Sequence, residues 1–176
     1  LLERHPFLGF VDASVIAVSV TVHGLGSVHA IDARTSAVVS VLSFSTPVTD
    51  LAMDAAGAHF VVAAEGRLSL WRVQGGGAKL HELHGFDTLS ASRCAFSSDG
   101  RVVIAHASKT AFGVWDARTG ALVAFLEGHA GLSYSCAMDA KAALGVSTGA
   151  DGTIRMWNLS TVFDTRTEAV SLSDMP

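Results

Sequence analysis

The feature that most constrains this chain is a tryptophan that returns at nearly fixed spacing. Trp71, Trp115 and Trp157 recur at intervals of 44 and 42 residues, and Ile31 holds the same place 40 residues before Trp71. A near-constant period in this range marks a chain built by copying one supersecondary unit, each copy burying its apolar face against the next. The copying extends beyond the aromatic position. Ile31-Asp32-Ala33-Arg34-Thr35 matches Trp115-Asp116-Ala117-Arg118-Thr119, and Leu51-Ala52-Met53-Asp54, Cys94-Ala95-Phe96-Ser97 and Cys136-Ala137-Met138-Asp139 are one strand written three times. Leu2-Glu3-Arg4-His5, Leu42-Ser43-Phe44-Ser45, Leu83-His84-Gly85-Phe86 and Leu126-Glu127-Gly128-His129 are a second recurring strand end and loop.

Between these markers, turn-forming clusters fall about every ten residues. They are Asp12-Ala13-Ser14, Gly24-Leu25-Gly26, Asp54-Ala55-Ala56-Gly57, Gly75-Gly76-Gly77, Ser98-Asp99-Gly100 and Gly149-Ala150-Asp151-Gly152. The runs they bound, such as Val15 to Val22, Phe60 to Ala64, Val102 to Ala107 and Leu144 to Thr148, are rich in Val, Ile, Ala and Phe and too short for helices. No segment sustains a 3.6-residue apolar period. The reading is all-β, in units of four antiparallel strands: roughly 5–44, 45–85, 86–128 and 129–173, with 1–4 as the outer strand of a preceding or closing unit. Together they make 1–176 one segment.

Composition excludes several kinds of function. Apolar residues make up 49% of the chain, so a packed core is expected, and only 16% are charged, which leaves unusual amounts of surface to be covered by more protein. With 12 Lys+Arg against 16 Asp+Glu, a net charge of −4 and no basic cluster, the footprint of a nucleic-acid binder is missing. Uninterrupted apolar stretches are a few residues long, far short of the roughly 20 that cross a bilayer. Glu3, Arg4 and His5 stand where the apolar part of a signal peptide would lie, and no initiator Met opens the chain, which points to an excerpt or a processed product. Cys94 and Cys136 lie one period apart, so both occupy the same core-facing place and are expected as reduced, buried thiols in a cytoplasmic or nuclear protein.

At Gly128-His129, then Asp151-Gly152-Thr153-Ile154-Arg155-Met156-Trp157-Asn158, and again at Trp115-Asp116, the chain resembles the WD-repeat family, whose four-stranded units are blades of a β-propeller. The resemblance covers residues 1 to 160. It implies a hydrogen-bonded chain of His129, Ser147, Asp151 and Trp157 that fixes the blade. The other units depart from that set, with Leu25, Glu65 and Lys109 at the Asp151 position and Ser45 and Phe86 at the His129 position. Those blades are expected to rely on apolar packing. Seven blades are the commonest count in the family, so about four blades imply part of a larger propeller or a half completed by another chain. An open arc would expose an apolar blade face at each end.

Three patterns invite chemistry, and each has a plainer reading. Gly145-Val146-Ser147-Thr148-Gly149 fits the G-x-S-x-G elbow of serine hydrolases, but an elbow needs a helix after its strand, and here a tight turn and another strand follow. His81-Glu82-Leu83-His84 is one residue short of a zinc-binding helix, and at that spacing two strand histidines face opposite sides. The glycine runs lack the Lys-Ser/Thr and helix that a phosphate cradle needs, and read as hairpin loops. No catalytic residue, metal or cofactor is assigned. From the resemblance, Trp115, Asp116 and Arg118 match a Trp-Asp-x-Arg box that in some relatives docks the propeller onto a cullin-type ubiquitin ligase adaptor, with Asp32-Ala33-Arg34 as a partial echo. This chain has Lys109 where that box calls for an acidic residue, and the plainer reading is a local Arg118–Asp116 pair.

The expected role is a non-catalytic scaffold that binds other proteins, or other domains of its own parent chain. Alternatives are a ligand-sensing or autoinhibitory arm of a multidomain signalling protein, a ubiquitin-ligase substrate receptor, and a hydrolase built on Ser147. Neither direct nucleic-acid binding nor a small-molecule substrate is expected.

Overall fold

The computed structural model describes residues 8–9, 15–85 and 93–164. They form four antiparallel sheets. The first holds β1 (Leu8–Gly9), β2 (Val15–Val22), β3 (Leu25–Asp32) and β4 (Val38–Phe44) in sequence order. The second holds β5 (Val48–Met53), β6 (His59–Ala64) and β7 (Arg67–Arg72), then, after the short turn α1 (Gln74–Gly77), β8 (Ala78–Leu83). The third holds β9 (Cys94–Phe96), β10 (Val102–His106), β11 (Phe112–Asp116) and β12 (Leu122–Leu126). In the fourth, β13 (Ser133–Met138), β14 (Leu144–Gly149) and β15 (Ile154–Asn158) pair in order, and the one-turn helix α2 (Ser160–Asp164) follows.

Within each sheet the strands pair antiparallel in sequence order, so every sheet is a simple meander. The first strands β1, β5, β9 and β13 are neighbours in turn, while apolar clusters join sheet one to two, two to three and three to four. Sheets that meet along their first strands and pack face to face are propeller blades, about four of them, and the fold is all-β as expected. The outer strand proposed at 1–4, and the stretch 165–173 assigned to the last unit, lie outside the described residues. No helix among the described residues is long and apolar enough to cross a membrane.

Position in the arc explains the sequence of each strand. β6 and β10 are buried almost throughout, because their blades are covered on both faces, and both read as unbroken apolar runs. β2 and β14 belong to the end blades and alternate between covered and open positions. Large exposed apolar side chains gather accordingly in the first blade (Val20, Val22, Leu25, Val38, Val41) and around the fourth (Leu132, Tyr134, Leu144, Ile154, Met156).

The periodic aromatic position marks a break in register. Pairing of the third strand with the fourth shifts between Ala30 and Ile31, between Leu70 and Trp71, and between Val114 and Trp115. A bulge at that point re-aims the side chain that the repeat conserves across its copies. In the first and third blades an aspartate then closes the strand: Asp32 Oδ1 accepts the amides of Arg34 and Thr35 at 2.8 and 2.9 Å, and Asp116 Oδ1 those of Arg118 and Thr119 at 2.7 and 3.1 Å. One turn differs from its expected place. The β2–β3 hairpin turns at His23 and Gly24, with φ of 50° and 81°, and leaves Leu25 and Gly26 inside β3. Two positive φ values are what a two-residue hairpin of type I′ requires, and the pair Glu65-Gly66 repeats the geometry with φ of 58° and 66°.

Candidate functional site

Four residues singled out in the sequence converge at one end of the fourth blade. His129 lies in the loop before β13, Ser147 on β14, Asp151 in the β14–β15 turn and Trp157 on β15. The Trp157 indole N–H donates to Ser147 Oγ at 2.9 Å, and Ser147 Oγ lies 2.8 Å from His129 Nε2. His129 Nδ1 lies 3.1 and 3.2 Å from the two carboxylate oxygens of Asp151. With the proton on Nδ1, every donor in this chain has an acceptor. Asp151 also accepts from the Ala130 amide at 2.9 Å, the Thr153 amide at 3.0 Å and the Thr153 hydroxyl at 2.7 Å. These donors hold its carboxyl well below the ordinary range, the Thr153 hydroxyl and amide first.

Carboxylate, imidazole and hydroxyl stand here in the order of a hydrolase triad. Packing assigns them a different part. Ser147 is 1% exposed, and the lone pair that would attack a substrate already accepts from Trp157. A Cβ added at Gly149 would lie 2.5 Å from His129 Nδ1, so the imidazole is walled in by backbone. Ser147 lies inside a hairpin, between β13 and β15, with no helix behind it. An acyl group has no place to sit.

The other blades satisfy their aromatic residues differently, which corrects the expectation that they depend on apolar packing alone. In the second blade Glu65 and Ser45, at the Asp151 and His129 positions, join directly: Glu65 Oε1 accepts the Ser45 amide at 2.7 Å and its hydroxyl at 2.6 Å. These two bonds hold the Glu65 carboxyl below its usual range. The Trp71 indole donates to Ser69 Oγ at 2.8 Å, a hydroxyl on its own strand, because Val62 stands where the fourth blade has Ser147. In the third blade that place is Ala105, and the wholly buried Trp115 donates to the His84 carbonyl at 2.9 Å. There the expectation of apolar packing fits, since Phe112, Val114 and Trp115 are all 0% exposed. The signal for the Ser45–Glu65 pair was legible: a hydroxyl and a carboxylate at the two ends of the repeat's polar chain.

Asp116 and Arg118 stand at the opposite end of the blades, at and just past the end of β11, whereas the Trp115 ring lies back over Gly113 within the strand. Trp115 is fully buried, and Asp116 Oδ1 is taken up by its own turn. Arg118 meets Asp116 through its backbone amide, so the local side-chain pair considered from the sequence does not form. Its guanidinium is exposed and makes no hydrogen bond or ion pair among the described residues. Arg118 lines a cavity of ≈ 400 Å³ between the second and third blades, together with His59, Leu70, Leu80, His81, Arg101 and Asp116. His81 Nε2 donates to the Arg118 carbonyl at 3.1 Å, and the His59 Nδ1 lies 2.9 Å from the buried Asp54 carboxylate.

The cysteines are free, Cys94 packed against the second apolar cluster and Cys136 against the third. Burial pushes both thiols well above their ordinary range, so neither is a nucleophile at neutral pH. Nearby Asp50 was not singled out in the sequence. It is 6% exposed and accepts the Cys94 amide at 2.7 Å, and burial raises its carboxyl. No group of three or more His, Cys, Asp or Glu with metal-holding geometry occurs among the described residues.

Comparison with known proteins agrees with this architecture. Residues 120–158 match the family of the WD domain, G-beta repeat. The match runs from the end of the third blade through β15, so one sequence repeat straddles two blades and contains His129, Ser147, Asp151 and Trp157 together. The crystal structure of the computationally designed Ika4 protein superposes with a TM-score of 0.69, at 24% identity, over 86% of this chain and 88% of that one. At that identity the likeness speaks for the fold. No curated protein matches the sequence. WD40 repeats are in general non-catalytic and mediate protein–protein interactions. The chain carries one such WD40 repeat at residues 120–158, in a fold of propeller blades.

Proposed function

We propose that this chain is a non-catalytic interaction module, its blades holding loops and inter-blade grooves in fixed positions for other proteins or for other domains of its parent chain. The single observation that carries this reading is the consumption of the reactive groups. The serine and histidine with the right chemistry are buried against Trp157 and joined in one chain with the half-buried aspartate, whereas Arg101 and Arg118, whose charged groups have no partner among the described residues, stand open in a groove. Rigid elements under exposed polar and cationic groups suit recognition rather than bond-making. The repeat units expected at 5–44, 45–85, 86–128 and 129–173 would act together as one surface.

The test has two arms. The 176-residue chain, immobilised and cross-linked in extract, is expected to retain a partner protein at near-stoichiometric yield. Activated esters offered to the same protein should be hydrolysed no faster by the parent than by Ser147→Ala. Absence of any retained protein, or ester turnover that disappears with Ser147→Ala, would overturn the reading.

A further inference from the structure

The groove between the second and third blades shares a lining residue with the next groove along the arc. Arg101 lines it, and the same Arg101 lines a second cavity of ≈ 240 Å³ between the third and fourth blades, together with Asp99, Lys141, Ala142 and Leu159. Arg118, Arg101 and Lys141 therefore stand along consecutive grooves on one end of the arc. All three are exposed, and none of their charged groups has an ion pair or hydrogen bond among the described residues. The carboxylates beside them are turned into their own loops: Asp116 Oδ1 accepts the Arg118 and Thr119 amides, and Asp99 Oδ1 accepts the Ser97 hydroxyl at 2.7 Å and the Arg101 amide at 3.1 Å. The floor is apolar, with Leu70 1% and Ala117 6% exposed. Among the charged residues that line the two cavities, Arg118, Arg101 and Lys141 stand against Asp116 and Asp99.

We propose that this face binds an extended acidic segment of a partner protein. One carboxylate enters the groove shared by Arg118 and Arg101, an apolar side chain beside it packs on the half-buried Leu80, and the segment runs on toward Lys141. The inference rests on the interaction-module reading and names the chemistry of its partner. Two unpaired guanidiniums over an apolar floor select a planar anion joined to an apolar body, because a guanidinium offers paired N–H donors that match a carboxylate. His59 and His81 form the far wall. Each ring has one nitrogen already committed, to Asp54 and to the Arg118 carbonyl, which fixes their positions.

The test uses the 176-residue chain and a fluorescein-labelled peptide of about ten residues, long enough to span about 30 Å when extended, with Glu at alternate positions and Leu between. Anisotropy should report binding that weakens as salt rises and disappears when every Glu is replaced by Gln. Arg118→Ala and Arg101→Ala should each weaken binding roughly fivefold to tenfold, the range between an exposed ion pair and a charge-assisted hydrogen bond. Arg34→Ala, on the equivalent turn of the first blade and outside the grooves, should leave it unchanged, and circular dichroism should show all three variants folded. Equal binding of the Gln peptide, unchanged binding by the Arg101/Arg118 double variant, or displacement by free glutamate or phosphate at concentrations comparable to the peptide would overturn the proposal. If the double variant still retains the cross-linked partner at full yield, the groove assignment fails and the interaction module stands. If the parent retains none, the module reading itself fails.

Discussion

The second and fourth blades meet the same requirement with different residues. Each must seat a tryptophan on its third strand and find an acceptor for its indole N–H. The fourth does so by a dry chain in which Ser147 and His129 are 1% and 5% exposed and Trp157, His129 and Asp151 are linked end to end. The second uses two pairs with no link between them. Trp71 is settled locally by Ser69, and Glu65 with Ser45 pins the loop at the surface. A buried polar chain is cooperative, because removing one member strands its neighbours away from water. Two separate pairs, one of them solvated, fail independently. Similar repeats therefore need not be equally stiff, and the blade with the more complete motif is the one most exposed to single substitutions.

The largest effect should follow Ser147→Ala. The substitution leaves the Trp157 indole N–H and the His129 Nε2 without their partner in a site closed to solvent, and each stranded group costs about 1–3 kcal/mol. A total loss of roughly 2–4 kcal/mol in urea or thermal unfolding is expected. The counterpart in the second blade is Ser69→Ala, where Trp71 is only half-buried and water can reach the indole, and the loss should be clearly smaller. Equal losses at the two sites would dissolve the contrast between a cooperative chain and independent pairs.

Much of this was legible in the sequence, for reasons that also mark its limits. The period reports the unit, since every copy has to fill the same gap between neighbours, and the strands expected at Val15 to Val22 and Leu144 to Thr148, short apolar runs between turn clusters, are found at Val15–Val22 and Leu144–Gly149. His129, Ser147, Asp151 and Trp157 were marked by a motif whose residues sit at fixed separations. Ser45 and Glu65 were seen as departures, because a motif describes one solution and is silent on a shorter pair that closes the same loop. Arg101 had no signal. It has no counterpart in the other blades, and its importance comes only from the packing that places it between two grooves. Asp50 was hidden by its setting in an inner strand, where a lone acid reads as a solvated face until the neighbouring blade covers it.

A second contrast, between the third and fourth blades, should show in acid. His106 is buried, stacks on Phe112 at 4.5 Å between ring centroids, and has Arg93 as its charged neighbour. Burial lowers the His106 pKa from 6.5 to about 4. The unfolded chain then takes up a proton before the folded one, so this group's contribution is intact above pH 6.5 and is lost as pH falls from 6.5 toward about 4. Asp151, with its carboxyl held below the ordinary 3.8, acts later: its contribution is present above 3.8 and is lost below it. Asp50 works in the opposite sense, because burial raises its carboxyl, so the useful measurement is a difference between variants. Replacing His106 by Gln should flatten the decline in unfolding midpoint between pH 7 and 4.5, and an unaltered decline would remove His106 as its cause.

The smallest effect should come from Glu65→Ala. Both partners of that pair are exposed, so the Ser45 amide and hydroxyl regain water when the carboxylate is removed, and the expected loss is under about 1 kcal/mol. Glu65 also holds a positive φ of 58° in the β6–β7 turn, a conformation that costs any residue with a Cβ. Glu65→Gly relieves that strain while removing the same hydrogen bonds, so it should be the more stable of the two variants. The pair separates the two contributions: the difference between Ala and Gly reads the backbone, and what remains reads the carboxylate. If Glu65→Ala instead destabilised the protein as much as Ser147→Ala, the surface pair would be coupled to the core as tightly as the buried chain. The two blades would then differ in residues and not in mechanics.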